Sequence, residues 1–276
     1  MKHRNLYSLV FFCALCLMLP ATVHAETEPA DTAAPASPAG VSIDAGFASA
    51  YNFRGINVFG ATQSDQHLVF SPSISYSILD TGLSIGYWGA YQINGDNLEA
   101  NVDAALGHEQ DIIIGYSTSW LDDTLAFDAA LTVFLYPFAD EDVAGVTCPA
   151  YIEPSVTLTY STVLDFSLQV AYFAAIQEEI EDFRYLYIRP YISKSFQLSK
   201  RVTQTIGVGY GYKLFNDRDK MVDNIHDIAF DIETSVAITD SFYVAPAFRG
   251  GWTNLKKKSA GEEYFLLGSV NIGFSF

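Results

Sequence analysis

Val270-Asn271-Ile272-Gly273-Phe274-Ser275-Phe276 closes the sequence, and every second residue in it is apolar. Carried back, the same phase collects Tyr264, Leu266, Gly268, Val270, Ile272, Phe274 and Phe276 on one face of a strand. Side chains on a strand alternate sides with a period of two, so one face is greasy and the other is not. An edge strand of a soluble sheet can carry this pattern. The closing strand of a transmembrane β-barrel requires it, because one face of every strand meets lipid.

The other end of the chain points the same way. Lys2 and Arg4 precede an apolar run over 6–19, with Pro20 behind it and Val23-His24-Ala25 as a small-residue cleavage site. Residues 1–25 therefore read as a secretory signal peptide, with Glu26 the mature start. The run is too short for a membrane helix. Cys13 and Cys16 follow Phe12 and Leu15 rather than a small residue, which argues against lipidation. No later segment reaches the roughly 18 uninterrupted apolar residues of a spanning helix, so any membrane crossing is made by strands. Residues 26–40, rich in Ala and Pro and without periodicity, read as a disordered periplasmic tether. The barrel is expected over 41–276.

Charge agrees with export. The chain carries 15 Lys and Arg against 32 Asp and Glu, a net of −17. The signal holds two of those bases and no acid, so the mature chain is more acidic still. Nucleic acid is excluded as a partner, since it calls for a basic stripe. Only Cys148 remains after the signal, which rules out an intramolecular disulfide and a cysteine-based metal site. No motif calls for a cofactor.

From Ser42 onward the sequence parses into twelve alternating segments: 42–54, 67–79, 82–94, one ending at Trp120, then 124–136, 151–160, 165–176, 183–196, 201–215, 225–238, 242–254 and 263–276. The start of the fourth is open, because its phase continues back through Leu106, Ala104 and Val102. Most exceed the 9–11 residues that a tilted membrane strand needs. Five connections are tight and six are long, the pattern of an up-and-down antiparallel barrel with both termini in the periplasm. An even strand count lets the last strand pair with the first and abolishes the edges. A soluble sandwich or lipocalin-like barrel is the competing fold, and it would need cover for these apolar faces that the chain does not provide.

Aromatics fall at both ends of the outward phase. One belt is expected from Tyr76, Trp120, Tyr160, Phe196, Phe242 and Phe276, and the other from Tyr51, Phe53, Tyr91, Tyr172, Tyr212 and Trp252. Such rings suit the two membrane interfaces. Pro72, Pro154, Pro190 and Pro246 lie on the outward phase of strand segments. Each is expected to mark a bulge or bend, because proline removes a ladder hydrogen bond.

Ala48-Ser49-Ala50-Tyr51-Asn52-Phe53-Arg54-Gly55-Ile56-Asn57 resembles the S-x-Y-x-F-R-G-I-S signature that opens the TorF-type porins, a bacterial outer-membrane family. The stretch from Ser71-Pro72-Ser73-Ile74-Ser75-Tyr76 through Gly86-Tyr87-Trp88-Gly89 is similar to that family's second and third strands. The resemblance spans the mature barrel and is specific in its first third. It departs after Gly55, where the loop is longer, and at Ser71, where the pattern has Gln. It implies an outer-membrane barrel acting as a channel and says little about the solute.

The inward phase is expected to line a lumen of intermediate width, twelve strands lying between a filled barrel and a wide pore. Ser71, Ser73, Ser75, Ser77, Gly86, Gly115, Gly207, Gly209, Gly211 and Gly251 leave space there. Trp88, Phe134, Tyr185, Tyr187 and Tyr191 could constrict it. Expected pore-lining charges are Arg54, Arg189, Lys213 and Arg249 on one wall and Asp103, Asp128 and Glu153 on the other, with Asp231 and Glu233 among the bases. Opposed walls of charge would set up a transverse field that selects polar solutes, whereas local pairing would merely solvate the lumen.

The loops carry Asp140, Glu141, Asp142, Glu178, Glu179, Glu181 and Asp182, either as a solvated surface or as ligands for divalent cations beside lipopolysaccharide phosphates. Lys256-Lys257-Lys258 could meet the same phosphates directly. Phe276 resembles the signal read by the barrel-assembly machinery. The expectation is a porin-like channel in the outer membrane for passive diffusion of small polar solutes or ions, and not an enzyme. The alternatives are a lipid-modifying outer-membrane enzyme and a non-conducting structural or adhesive barrel. For the enzyme, only His226-Asp227 sets a base beside a carboxylate, and neighbours on a strand point to opposite faces.

Overall fold

Period-two alternation over segments of 8–16 residues produces a single closed antiparallel barrel in the computed structural model, which describes residues 40–59, 66–93, 108–139, 147–177, 184–215, 225–254 and 263–276. Its strands are β1 (Val41–Ala48), β4 (Val69–Ser77), β5 (Leu83–Gln92), β6 (Glu109–Trp120), β7 (Leu125–Leu135) and β8 (Ala150–Ser161). They continue with β9 (Asp165–Ala175), β10 (Arg184–Ser199), β11 (Val202–Phe215), β12 (Ile225–Ala237), β13 (Phe242–Thr253) and β14 (Tyr264–Ser275). Two further two-residue strands, β2 (Asn52–Phe53) and β3 (Ile56–Asn57), pair only with each other. Closure comes from β1 against β14, with Ser42 opposite Ser275 and Phe47 opposite Val270. The stretches expected as signal peptide and tether lie outside the described residues, as do much of the long loops, Asp103 and the backward extension of the fourth segment.

The outer surface is the apolar one. Ile43, Phe47, Ile114, Leu158, Phe230 and Phe274 are all exposed there. A face of this kind is stable in hydrocarbon, which is why the alternation runs apolar-out and polar-in, the reverse of a soluble barrel. Tyr76, Trp120, Tyr160, Phe196 and Phe276 are exposed at the short-turn rim.

The prolines interrupt the ladder as expected, but without a bulge. Opposite Pro72 the β4–β5 ladder skips two pairs, from Phe70↔Tyr91 to Ser73↔Trp88, with no change of register. The same gap without a shift occurs at Pro154 towards β9, at Pro190 towards β11 and at Pro246 towards β12. A missing N–H opens the ladder on one side, while the intact pairing on the other side holds the register. Among the described residues, the register does shift between Gln197 and Ser199, at the end of β10.

The first strand is also shorter than its pattern. β1 leaves the wall at Ala48 instead of running to Arg54. Ser49 still donates to the Gly268 carbonyl at 2.8 Å, and its hydroxyl accepts from the Gly268 N–H at 3.1 Å. The chain then turns into the barrel.

Candidate functional site: the lumen and its inward hairpin

Residues 50–59 form a β2–β3 hairpin inside the long-loop end of the barrel. Arg54 (φ 52°) and Gly55 (φ 78°) are its two turn residues, both left-handed, which is the signature of a type I′ turn. Gly55 N–H donates to Asn52 Oδ1 at 3.1 Å and closes the loop. Gly55 also wedges the tip against the wall. A Cβ built there would lie 2.7 Å from Asp227 Cβ on β12 and 3.1 Å from Thr253 Oγ1 on β13.

From this tip the Arg54 side chain crosses to the opposite wall. Its Nη1 and Nη2 donate to Glu153 Oε2 and Oε1 on β8 at 2.6 and 2.7 Å, a two-pronged ion pair. Nη1 also donates to the Tyr185 hydroxyl on β10 at 3.3 Å. The guanidinium carbon lies 4.2 Å from the Tyr187 ring centre and 4.7 Å from that of Phe53. Arg54 is only 2% exposed.

Aromatic packing fills the space around it. Phe53 meets Phe134 edge-on at 6.1 Å, and Phe173 stacks between Tyr151 and Tyr185 at 4.8 and 5.1 Å. On the hairpin's other side Tyr51 packs against Phe59 and Trp88 at 5.5 and 5.6 Å. Tyr51 and Tyr136 both donate their hydroxyls to Glu109 on β6, at 2.8 and 2.7 Å. Tyr51 and Phe53 are therefore lumen residues and not members of an outer aromatic belt, and Arg54 sits on the hairpin rather than on the barrel wall. Inside the barrel an exposed greasy face would meet water, so the hairpin buries its rings against other rings instead.

The remaining predicted pore residues are placed as follows. Glu153 is the hairpin's anchor. Lys213 on β11 is buried beside the same cage, its Nζ 5.4 Å from the Tyr185 ring centre. Arg189 on β10 and Arg249 on β13 share Asp231 on β12, at 3.8 and 3.2 Å. Glu233 is buried two residues along from Asp231, and Asp128 lines β7 opposite Thr157. The structure thus brings Arg54 to Glu153, and Arg189 and Arg249 to Asp231.

The expected pore-lining set left out three buried carboxylates of the long-loop end: Glu109, Asp111 and Asp227. The signal was available. All three fall on the inward phase of their strands, and Glu109 and Asp111 are two apart at the start of a segment whose beginning could not be fixed from the pattern.

The glycines hold side chains rather than empty space. A Cβ at Gly207 would meet the Tyr191 hydroxyl, and one at Gly209 would lie 2.8 Å from Arg189 Nε. The β11 glycines let the long side chains of β10 lie flat against the wall. Beyond them, towards the short-turn end, the lumen is lined by small hydroxyls. Thr159 and Ser167 share a hydrogen bond of 2.9 Å, as do Ser195 and Thr205. Ser75, Ser77 and Ser117 are exposed. Tyr243 donates to Asp44, which also accepts from Ser73 at 3.4 Å. The result is a polar vestibule beneath a packed mouth.

Among the described residues the histidines form no common site. His226 contacts Tyr210 and Tyr212 on the outer face, while Asp227 is buried inside. His108, outside the strands, lies between Tyr91 and Phe138, and burial pushes its imidazole below the usual range. Among the described residues no three His, Cys, Asp or Glu side chains gather as a metal site.

Because Gly55 both turns and wedges the hairpin, Gly55→Ala is expected to unseat it. A left-handed non-glycine costs about 1–2 kcal/mol, and the new Cβ collides with Asp227. Amide hydrogen exchange should rise over residues 50–59, with the barrel amides unchanged.

No curated protein matches the chain. Several solved barrels are similar in structure. The NanC porin is 12% identical, covering 86% of this chain and 98% of its own, with a TM-score of 0.47. An outer membrane channel from Pseudomonas putida F1 is 12% identical, covering 89% and 99%, with a TM-score of 0.49. LpxR from Salmonella typhimurium is 11% identical, covering 85% and 100%, with a TM-score of 0.45. Likenesses of this size carry no statement about function. The family described as "Bacterial protein of unknown function (Gcw_chp)" matches residues 32–260, and the chain belongs to it.

Proposed function

We propose that this protein is an outer-membrane channel for small polar solutes or ions, closed at its long-loop mouth by the β2–β3 hairpin. The observation that carries this is the hairpin's attachment. β2 and β3 pair with each other and not with the barrel sheet, while a hydroxyl-lined vestibule lies beneath them. A plug fixed by side chains can move without breaking the barrel. The exposed apolar band and the signal peptide support export to the outer membrane, with the short-turn rim in the periplasm. Lipid and lipopolysaccharide are the surrounding partners, and Phe276 is the contact for barrel assembly.

The channel favours cations. Among the described residues the lumen carries four bases, Arg54, Arg189, Lys213 and Arg249. Against them stand nine acids: Asp44, Glu109, Asp111, Asp128, Glu153, Asp165, Asp227, Asp231 and Glu233. Two of the bases share one carboxylate, so local pairing accounts for part of the opposed-wall pattern and the acid excess sets the sign. In a planar bilayer under a salt gradient the refolded protein should open in discrete steps, with a cation-selective reversal potential. An anion-selective potential would contradict this. The transverse field is tested separately: if Arg249→Ala and Arg189→Ala change neither conductance nor selectivity, it plays no part.

The packed mouth favours a second reading, a barrel that conducts nothing. It predicts silence even after the hairpin is removed. An enzymatic reading has less support, because the His226 ring and the Asp227 carboxylate lie on opposite sides of the wall.

A further inference from the structure

The cage that receives Arg54 has the chemistry of a binding site. Glu153 presents both carboxylate oxygens to one planar group, a fit that a guanidinium meets with two parallel N–H bonds and an ammonium does not. Tyr187 offers a ring face at 4.2 Å and Tyr185 adds a hydroxyl acceptor. These three residues belong to wall strands β8 and β10, so they stay in place when the hairpin leaves. Only Phe53 departs with it.

The choice of Arg at position 54 is locally unfavourable. The first residue of a type I′ turn must be left-handed, and Asn, Asp or Gly adopt this at little cost. Arg54 takes it at φ 52°. Local geometry therefore does not select this residue, whereas its head group fits the cage.

From these observations we propose that Glu153, Tyr185 and Tyr187 form the recognition site for a guanidinium-bearing small solute, which Arg54 occupies as a resident substitute while the channel is closed. This rests on the channel reading above and names its substrate class. Opening takes Arg54 away from Glu153 and gives up their two-pronged ion pair. A solute that brings its own guanidinium removes that penalty, so its binding and hairpin opening are linked, each favouring the other. Lys213, its Nζ 5.4 Å from the Tyr185 ring centre, disfavours a ligand that places a second positive charge there.

The test is calorimetric binding of methylguanidinium to the refolded mature chain, with methylammonium as control. Wild type should bind weakly, because Arg54 holds the site for most of the time. Arg54→Ala should bind at least about tenfold more tightly, the gain expected when a site that was one-tenth available becomes fully available. Methylammonium should gain much less, and Glu153→Gln in the Arg54→Ala background should abolish the gain. Arg54→Lys, which keeps the charge but not the fork, should also bind methylguanidinium more tightly than wild type and guards against a misfolded alanine variant. Equal affinity in wild type and both variants, or a gain that survives Glu153→Gln, overturns the proposal. The assay needs no current. Binding without conductance would sink the channel reading and leave the cage, whereas conductance without binding would do the reverse.

Discussion

Arg54→Ala should release the hairpin and leave the barrel folded. Breaking a buried ion pair by removing one partner costs about 3–5 kcal/mol, because the other charge is left buried and unpaired. Here the structure has an escape. With the anchor gone, the hairpin can lift away and water can reach Glu153, so the loss appears in the balance between seated and lifted hairpin rather than in unfolding of the wall. At 1.4 kcal/mol per factor of ten, the seated-to-lifted ratio falls by about two to three and a half orders of magnitude. Single-channel recording should show this as a large rise in open probability, and heat-modifiable gel mobility should show an intact barrel. Glu153→Gln should do much the same, since it removes the other half of the fork. The double variant should be less affected than the sum of the two, with a coupling of about 0.5–3 kcal/mol for groups in direct contact. Strict additivity would mean that the pair is not the latch.

A second large effect separates the two faces of one strand. Ile114 and Ser117 both lie on β6, three residues apart, and the alternation puts Ile114 on the outside and Ser117 in the vestibule. Ile114→Arg should destabilise the barrel in vesicles by about 2–4 kcal/mol, the cost of a basic side chain near the bilayer midplane. Ser117→Arg should cost little, because its side chain enters water. Unfolding of each variant in denaturant, measured in the same lipid, gives both numbers. Equal losses would mean that the outward band does not face hydrocarbon.

The barrel itself was legible because two periodic signals agree. Alternation marks the strands, and alternating loop lengths set their up-and-down order, so closure of β14 on β1 follows from the Tyr264–Phe276 phase. The hairpin was not legible from the same signals. Ser49, Tyr51 and Phe53 continue the apolar phase of Ile43, Ala45 and Phe47, and a strand pattern looks the same whether its aromatic face meets lipid or other rings inside a lumen. What distinguishes them is the turn. Arg54-Gly55 between Asn52 and Asn57 is a two-residue hairpin in chemistry, but Arg is an unusual first residue for one, and period two overrode it. The absence of bulges at the prolines has a related reason. Sequence shows that an N–H is missing but not which neighbouring ladder lacks it, and the intact neighbour fixes the register at Pro72, Pro154, Pro190 and Pro246. Pairings across the lumen, such as Arg54 with Glu153 at a separation of 99 residues, depend on the hairpin's inward path and have no local signature.

The central claim is that a conducting barrel is closed by its own hairpin, and excising that hairpin tests it most directly. Replacing residues 50–58 by a short Gly-Ser linker leaves β1, β4 and their pairing untouched. Recorded side by side in a planar bilayer, the excised protein should show steps several-fold larger than wild type and open nearly all the time. The reversal potential should remain cation-selective, because the acidic wall remains. If the correctly folded, excised barrel passes no current, the lumen does not conduct and the channel account is wrong.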